Sequence, residues 1–135
     1  MLKLTKKTEY AFMAAKYMAL KNSSGNSTAK EISESYQIPF QLVAKVLQSL
    51  AKSEIAVSTK GMNGGFCLAR KPGDITLIDI IKAVDSNYQI TDCMKENGSS
   101  IDCSHFDCCK IRDPLVVIQK KIDKVFFETS LQQIL

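Results

Sequence analysis

Several features that would indicate other classes of protein are missing from this 135-residue sequence. No stretch approaches the roughly 18 apolar residues that a membrane-spanning helix needs. The first twenty residues lack the continuous apolar region and the small-residue cleavage site of a secretory signal, because Glu9 and Lys16 interrupt their apolar part. We therefore expect a cytoplasmic protein that has no membrane partner.

The cysteines lack the arrangement of a disulfide framework and of an ordinary zinc ribbon. There are five of them, an odd number, and no Cys-x-x-Cys pair is present. The single histidine, His105, forms no evident pair with a nucleophile. We therefore expect that the protein is not an enzyme, and a thiol oxidoreductase or a cluster carrier is the weaker alternative.

The composition is that of an ordinary folded protein with an uneven charge. Hydrophobic residues make up 45% and charged residues 24%, which excludes a fully disordered chain. Residues 1–70 contain ten Lys/Arg and four Asp/Glu, a balance of +6, whereas residues 71–135 contain eight and ten, a balance of −2. A basic first half favours a polyanionic partner, most simply nucleic acid, although an unevenly charged solvated surface would give the same numbers.

Two short helices joined by a tight turn are predicted between Thr28 and Ser53. Thr28 and Glu31 have the spacing of a capping box, and Pro39 suits the first turn of the second helix. A first helix, Thr5–Leu20, precedes them. The pair matches a helix-turn-helix, whose second helix enters the major groove. That helix has a predicted apolar face of Phe40, Val43, Leu47 and Leu50 and a polar face of Gln41, Lys45, Gln48 and Lys52.

A β-hairpin with a basic, glycine-rich tip is predicted next, from strands at Ile55–Thr59 and Phe66–Ala69. After a helix-turn-helix, such a hairpin is a wing. Gln and Lys side chains can pair with base edges, and glycine lets the backbone approach phosphates closely. The predicted contacts are Gln41, Lys45 and Gln48 in the major groove and Lys60, Gly61, Asn63, Gly64 and Gly65 in the wing.

The remainder of the chain is predicted to hold two more helices. Thr76–Val84 is a capped apolar segment that should pack on the first helix. Asp113-Pro114 is a strong helix start, with Asp113 as the cap and Pro114 at the first position. Apolar residues at a/d-like spacing follow, which favours dimerisation over packing on its own domain. The expected fold is mainly α with a small β-hairpin: a winged helix-turn-helix domain (1–85), a cysteine-bearing segment (86–112) and a C-terminal dimerisation helix (113–135).

Four cysteines lie between residues 93 and 109 and suggest a metal or redox site. Nine residues separate Cys93 from Cys103, and five separate Cys103 from Cys109, so the segment can wrap an iron–sulfur cluster. A zinc site that uses three cysteines and His105 is an alternative. A third alternative is a set of metal-free thiols that sense oxidants, in which the adjacent Cys108 and Cys109 are prominent. Spacing alone leaves all three open.

Four stretches of the sequence resemble the Rrf2 family of bacterial transcription regulators. They are Leu4–Ala11, Ile38–Leu50, Lys60–Arg70 and Ile75–Ile81, and the Gly-Gly-Phe-x-Leu-Ala-Arg run is the most specific part. The resemblance covers nearly the whole chain. Lys60 departs from the pattern, because many members have arginine there, which can form a bidentate contact.

The resemblance implies a winged-helix homodimer that binds pseudo-palindromic operators in double-stranded DNA. It also implies a [2Fe-2S] or [4Fe-4S] cluster held by three cysteines, a role that Cys93, Cys103 and Cys109 fit best. Glu9, donated by the partner subunit, is the preferred fourth ligand, with Cys108 and His105 as alternative ligands. The expected function is that of a repressor whose operator affinity depends on cluster status, nitric oxide or redox state; zinc or no metal is the alternative.

Overall fold

The computed structural model describes residues 2–21, 25–94 and 108–135, and in them it forms five α-helices and one β-hairpin. The mainly α fold with a small hairpin is therefore confirmed. None of the described helices is both long and apolar enough to cross a membrane. The elements are α1 (Lys6–Lys21), α2 (Ala29–Tyr36), α3 (Phe40–Lys52), β1 (Ala56–Thr59), β2 (Gly65–Leu68), α4 (Leu77–Val84) and α5 (Arg112–Glu128), with 3₁₀ turns at Pro72–Asp74, Asp92–Met94 and Leu131–Ile134.

Hydroxyl caps start the helices largely as the sequence predicts. The backbone N–H of Glu31 donates to Thr28 Oγ1 at 3.1 Å, so Thr28 caps α2. In a capping box, the Glu31 carboxylate would accept a hydrogen bond from the backbone N–H of Thr28. Here its Oε2 instead accepts from Lys21 Nζ at 2.6 Å. An ammonium is a stronger partner for a carboxylate than a backbone N–H. At α4, both bonds of a capping box between Thr76 and Asp79 are present.

The core lies where α1, α3 and α4 pack against one another. Small side chains on α1, among them Ala11 and Ala15, are fully buried and allow the helices to approach closely. On α3, the predicted apolar face needs one correction. Val46 is buried in it, whereas Phe40 is more than half exposed because it is the first residue of the helix and lies at the edge of that face.

The wing contains a third short segment that the sequence does not reveal. β1 and β2 pair antiparallel, with Ala56 opposite Leu68. Ser27, which precedes α2, pairs with Phe66 on the other side of β2 through backbone bonds of 2.7 and 2.8 Å. The wing is therefore joined to the start of the helix-turn-helix by backbone hydrogen bonds.

The C-terminal helix differs at both ends from the expected 113–135 segment. It begins at Arg112, so Asp113 is not its cap, and it ends at Glu128. The chain then returns to its own winged-helix part: Thr129 O accepts from Leu77 N at 2.9 Å, and the Leu131 side chain is fully buried. Helix periodicity does not predict this return, because burial of Leu131 depends on a site formed by distant residues.

Candidate DNA-binding surface and cysteine segment

The predicted recognition face of α3 is exposed as a continuous polar surface. Gln41, Lys45, Gln48 and Lys52 are all exposed, whereas Val43 and Leu50 on the opposite side are buried. At 3.6 residues per turn, these four positions lie along one side of the helix. The core thus orients α3 so that its amides and ammonium groups are accessible to a partner.

A shallow basic depression lies where the start of α1 meets the second half of α3. Its volume is about 300 Å³, and its lining residues are Lys7, Lys45, Gln48, Ser49 and Lys52. Three of these five side chains are ammonium groups and none is acidic, so the depression attracts anions such as phosphate. Sequence reasoning missed Lys7. The only signal for it was the basic Lys6-Lys7 pair, which does not show that α1 lies beside α3.

The wing presents Lys60, Gly61 and Asn63 as exposed residues. Gly61 has a positive φ of 108°, and a Cβ there would meet no atom within 4 Å, so its backbone can be approached closely. Gly64 and Gly65 are needed for a different reason. A Cβ at Gly64 would collide with the Thr59 carbonyl, and one at Gly65, where φ is 140°, would lie 2.6 Å from a backbone oxygen. Those two glycines are explained by packing within the wing, and DNA contact there stays a prediction.

Three of the candidate thiols belong to the described part of the chain. Cys93 lies in the 3₁₀ turn Asp92–Met94, with its Sγ 3.3 Å from Thr91 Oγ1. Cys93 and Cys109 are half-buried, Cys108 is exposed, and all three are free thiols. Cys103 and His105 lie outside the described residues. Within the part of the chain that the structure describes, no three metal-binding side chains come together. Free thiols suit either iron–sulfur or zinc chemistry, since both bind thiolate.

Glu9, the predicted fourth ligand, lies in the first turn of α1. Its carboxylate accepts a hydrogen bond from Lys6 Nζ at 2.9 Å. This bond and the Glu9 charge raise the pKa of Lys6. Ion pairs between exposed side chains contribute little to stability. Glu9 therefore forms a surface ion pair, which a stronger ligand interaction could replace.

A buried glutamine on α5 connects that helix to the segment that leads to Cys93. Gln119 Oε1 accepts from the backbone N–H of Ile90 at 2.7 Å, and its amide donates to Asp123 at 2.8 Å. Burial, with the nearby charge of Asp123, raises the pKa of Tyr88 to about 12. This connection could not be predicted from the sequence, because a lone glutamine within a helix is usually a surface residue.

The outer side of α5 carries an apolar stripe. Ile111, which immediately precedes α5, is exposed, as are Ile118 and Val125 within the helix, and the three are spaced by seven residues. A seven-residue repeat keeps side chains on nearly one side of a helix. By contrast, Ile122 and Phe126 line a cavity shared with α4, so they face their own domain. The structure therefore leaves one apolar side of α5 uncovered and uses the neighbouring side for its own packing.

Comparison with known proteins agrees with this architecture. The sequence profile of the Rrf2 family, described as "Iron-dependent Transcriptional regulator", matches residues 4–135. Protein aau3 of Rhizobium meliloti is 31% identical over 127 residues, 94% of this chain and 78% of that protein. The HTH-type transcriptional regulator NsrR of Bacillus licheniformis is 27% identical over 134 residues, 99% of this chain and 92% of that protein.

Among solved structures, CymR, the global cysteine regulator of B. subtilis, superposes with a TM-score of 0.76. The aligned region covers 99% of this chain and 96% of that one at 21% identity, a level at which the likeness shows the fold alone. The expected winged-helix architecture is thereby confirmed. The family match adds the kind of activity, which is regulation of transcription rather than catalysis. The chain belongs to the Rrf2 family of transcriptional regulators.

Proposed function

We propose that this protein is a cytoplasmic repressor that binds pseudo-palindromic operators as a homodimer and responds to an iron–sulfur cluster. The observation that carries the DNA-binding part is the exposed amide-and-lysine face of α3, flanked by the basic depression that Lys7 completes. Gln41, Lys45 and Gln48 would contact base edges, since Gln pairs with adenine and Lys with guanine in the major groove. Lys60, Gly61 and Asn63 at the wing tip would contact the DNA beside them.

The homodimer is supported by the uncovered stripe Ile111, Ile118 and Val125 on α5. Exposed apolar residues on one side of a helix favour association, and a seven-residue spacing suits helix-to-helix contact. Two copies would place two α3 helices in successive major-groove turns, about 34 Å apart. A pseudo-palindromic operator is the sequence counterpart of that two-fold symmetry.

The cluster is supported by the free thiols of Cys93 and Cys109 and by the family's description as iron-dependent. Cys93, Cys103 and Cys109 would hold it, with Glu9 of the second copy as the fourth ligand. When bound, the group would supply a redox- and nitric oxide-sensitive cross-link at the cysteine segment. Thiolates are the natural protein ligands of such iron.

The chain's own contacts suggest how a change at the cysteines reaches the DNA-binding surface. Gln119 joins the segment before Cys93 to α5, and the end of α5 is joined to α4 through the backbone bond between Thr129 and Leu77. α4 packs on α1 and α3. Displacement of the segment would therefore alter the position of α5 relative to α3. Coupling of this kind is typically about 1–3 kcal/mol, a 5- to 150-fold change in affinity.

Anaerobic purification followed by DNA binding tests the proposal. We expect a coloured protein that contains iron and sulfide, and an operator affinity that changes when the cluster is removed. The triple variant Cys93→Ala, Cys103→Ala, Cys109→Ala should be colourless and should bind the operator as the cluster-free parent does. A parent that binds DNA identically with and without iron would refute the regulatory part and leave the DNA-binding part intact.

Metal-free redox sensing is the second candidate, favoured by one observation. Cys108 is exposed and directly adjacent to Cys109, so an oxidant can reach it. Colourless protein without iron or zinc, whose DNA affinity changes on peroxide treatment in the parent but not in Cys108→Ser, would select this candidate. Stoichiometric zinc in place of iron would instead indicate a zinc site.

A further inference from the structure

Two large apolar side chains are exposed at the start of the proposed recognition helix. Phe40 is 54% exposed and Leu42 is 42% exposed, although both belong to an otherwise regularly amphipathic helix. They lie on either side of Gln41, because consecutive helix residues are about 100° apart. A single exposed apolar residue on a protein surface is ordinary. Here two of them lie in the first turn of α3, one on each side of the amide that is predicted to contact a base.

The position of Phe40 and Leu42 indicates which kind of partner would cover these two side chains. Lys45 and Gln48 follow on the same helix and line the basic depression with Lys7, whose charged side chains are all positive and suit a polyanion. In helix-turn-helix proteins, the N-terminal residues of the second helix contact base edges in the major groove. The apolar group in that groove is the C5-methyl of thymine, and only thymine presents it.

We propose that Phe40 and Leu42 contact thymine methyl groups in each operator half-site, next to a base pair read by Gln41. This inference rests on the proposed DNA-binding function and adds a base preference to it. Neighbouring A·T pairs suit both elements, since adenine in one presents the N6 and N7 atoms that a glutamine amide can pair with, and thymine in the next presents the methyl. The exposed side chains would then lose water-accessible area on binding.

Substitution of uracil for thymine removes the methyl group alone and leaves the pairing edges unchanged. The experiment uses the full-length protein and a duplex obtained by selection from random sequence. Each half-site thymine is replaced singly by uracil, and affinity is measured by fluorescence anisotropy. We expect at least one replacement to weaken the parent's binding about fourfold, the effect of one buried methyl-sized group. That thymine should lie next to a base pair that Gln41→Ala makes less selective.

The variants Phe40→Ala and Leu42→Ala connect the effect to these residues. At least one of them should bind the thymine and uracil duplexes equally. Leu20→Ala is the matched control, because Leu20 is 64% exposed on α1 and lies outside the proposed DNA-binding surface; it should retain the parent's ratio. Melting temperatures check that each variant is folded.

The outcomes separate the inference from the function on which it rests. Equal affinity of the parent for thymine and uracil at every half-site position overturns the inference and leaves DNA binding established. A uracil effect that persists in both Phe40→Ala and Leu42→Ala also overturns it. Failure of the parent to select any duplex overturns the proposed function itself.

Discussion

Removal of the two lysines that flank the basic depression should weaken DNA binding through the loss of phosphate contacts. Lys7 on α1 and Lys52 at the end of α3 both line the depression and are both exposed. Each ammonium that neutralises a phosphate contributes about 0.9 to the slope of log affinity against log salt. In Lys7→Ala/Lys52→Ala the slope should therefore become shallower by about 1.8, and affinity in about 0.1 M salt should fall roughly 60-fold.

A salt titration followed by fluorescence anisotropy measures both quantities in one experiment. Lys82→Ala/Lys120→Ala is the matched control, since it removes the same charge from exposed side chains that do not line the depression. Its slope should stay within a few tenths of the parent's. The reasoning is refuted if the two double variants lose equal affinity, because the effect would then follow from net charge and not from contact at the depression.

Three further predictions concern the parts of the fold that hold the DNA-binding surface. Leu131→Ala should lower the free energy of unfolding by about 2–5 kcal/mol in urea titration, because the side chain is fully buried. Gly65→Ala should destabilise the protein by more than about 1 kcal/mol, since φ is 140° and its Cβ would meet Ser27 O at 2.6 Å. Tyr88, whose pKa is raised to about 12 by burial and by Asp123, should stabilise the fold fully below about pH 10 and lose that contribution as pH rises to about 12.

Two of these three have a control in the same chain, and a substitution of Tyr88 tests the third. Gly73→Ala introduces a Cβ into open space and should change stability by less than about 0.5 kcal/mol. Leu135→Ala should cost much less than Leu131→Ala, because Leu135 is partly exposed. In Tyr88→Phe, unfolding monitored by circular dichroism should lose part of its dependence on pH between 10 and 12. An unchanged pH profile would contradict the assignment to Tyr88.

Features that depend on neighbours within one helical turn could be predicted from the sequence. The Thr28 cap needs only the backbone three residues ahead, and the box at Thr76 and Asp79 has the same range. The spacing of Gln41, Lys45 and Gln48 fixed them to one side of α3 before any contact was known. The family resemblance supplied the order of the elements. These are local properties, and local geometry follows from local sequence.

The predictions that were wrong, and the contacts that sequence reasoning missed, depend on residues far apart in the chain. Val46 rather than Phe40 completes the buried side of α3, because Phe40 lies at the edge of that face and only the packing of the other helices decides where the edge falls. Glu31 turns to Lys21 instead of its own helix start, since folding brings a second helix beside it. In the cysteine segment, the free thiols of the described residues suit metal binding. Which residues would bind a metal stays a prediction.

The sequence by itself determined the order of the helices, the polar side of α3, and that this helix is followed by a wing. Only the tertiary structure decided that Lys7 lies beside α3, that Ser27 pairs with the wing, and that Leu131 returns to the core. Periodicity and capping are encoded within a few residues. Contacts between distant segments arise only when the whole core has formed, because the burial that stabilises each of them is provided by all the others.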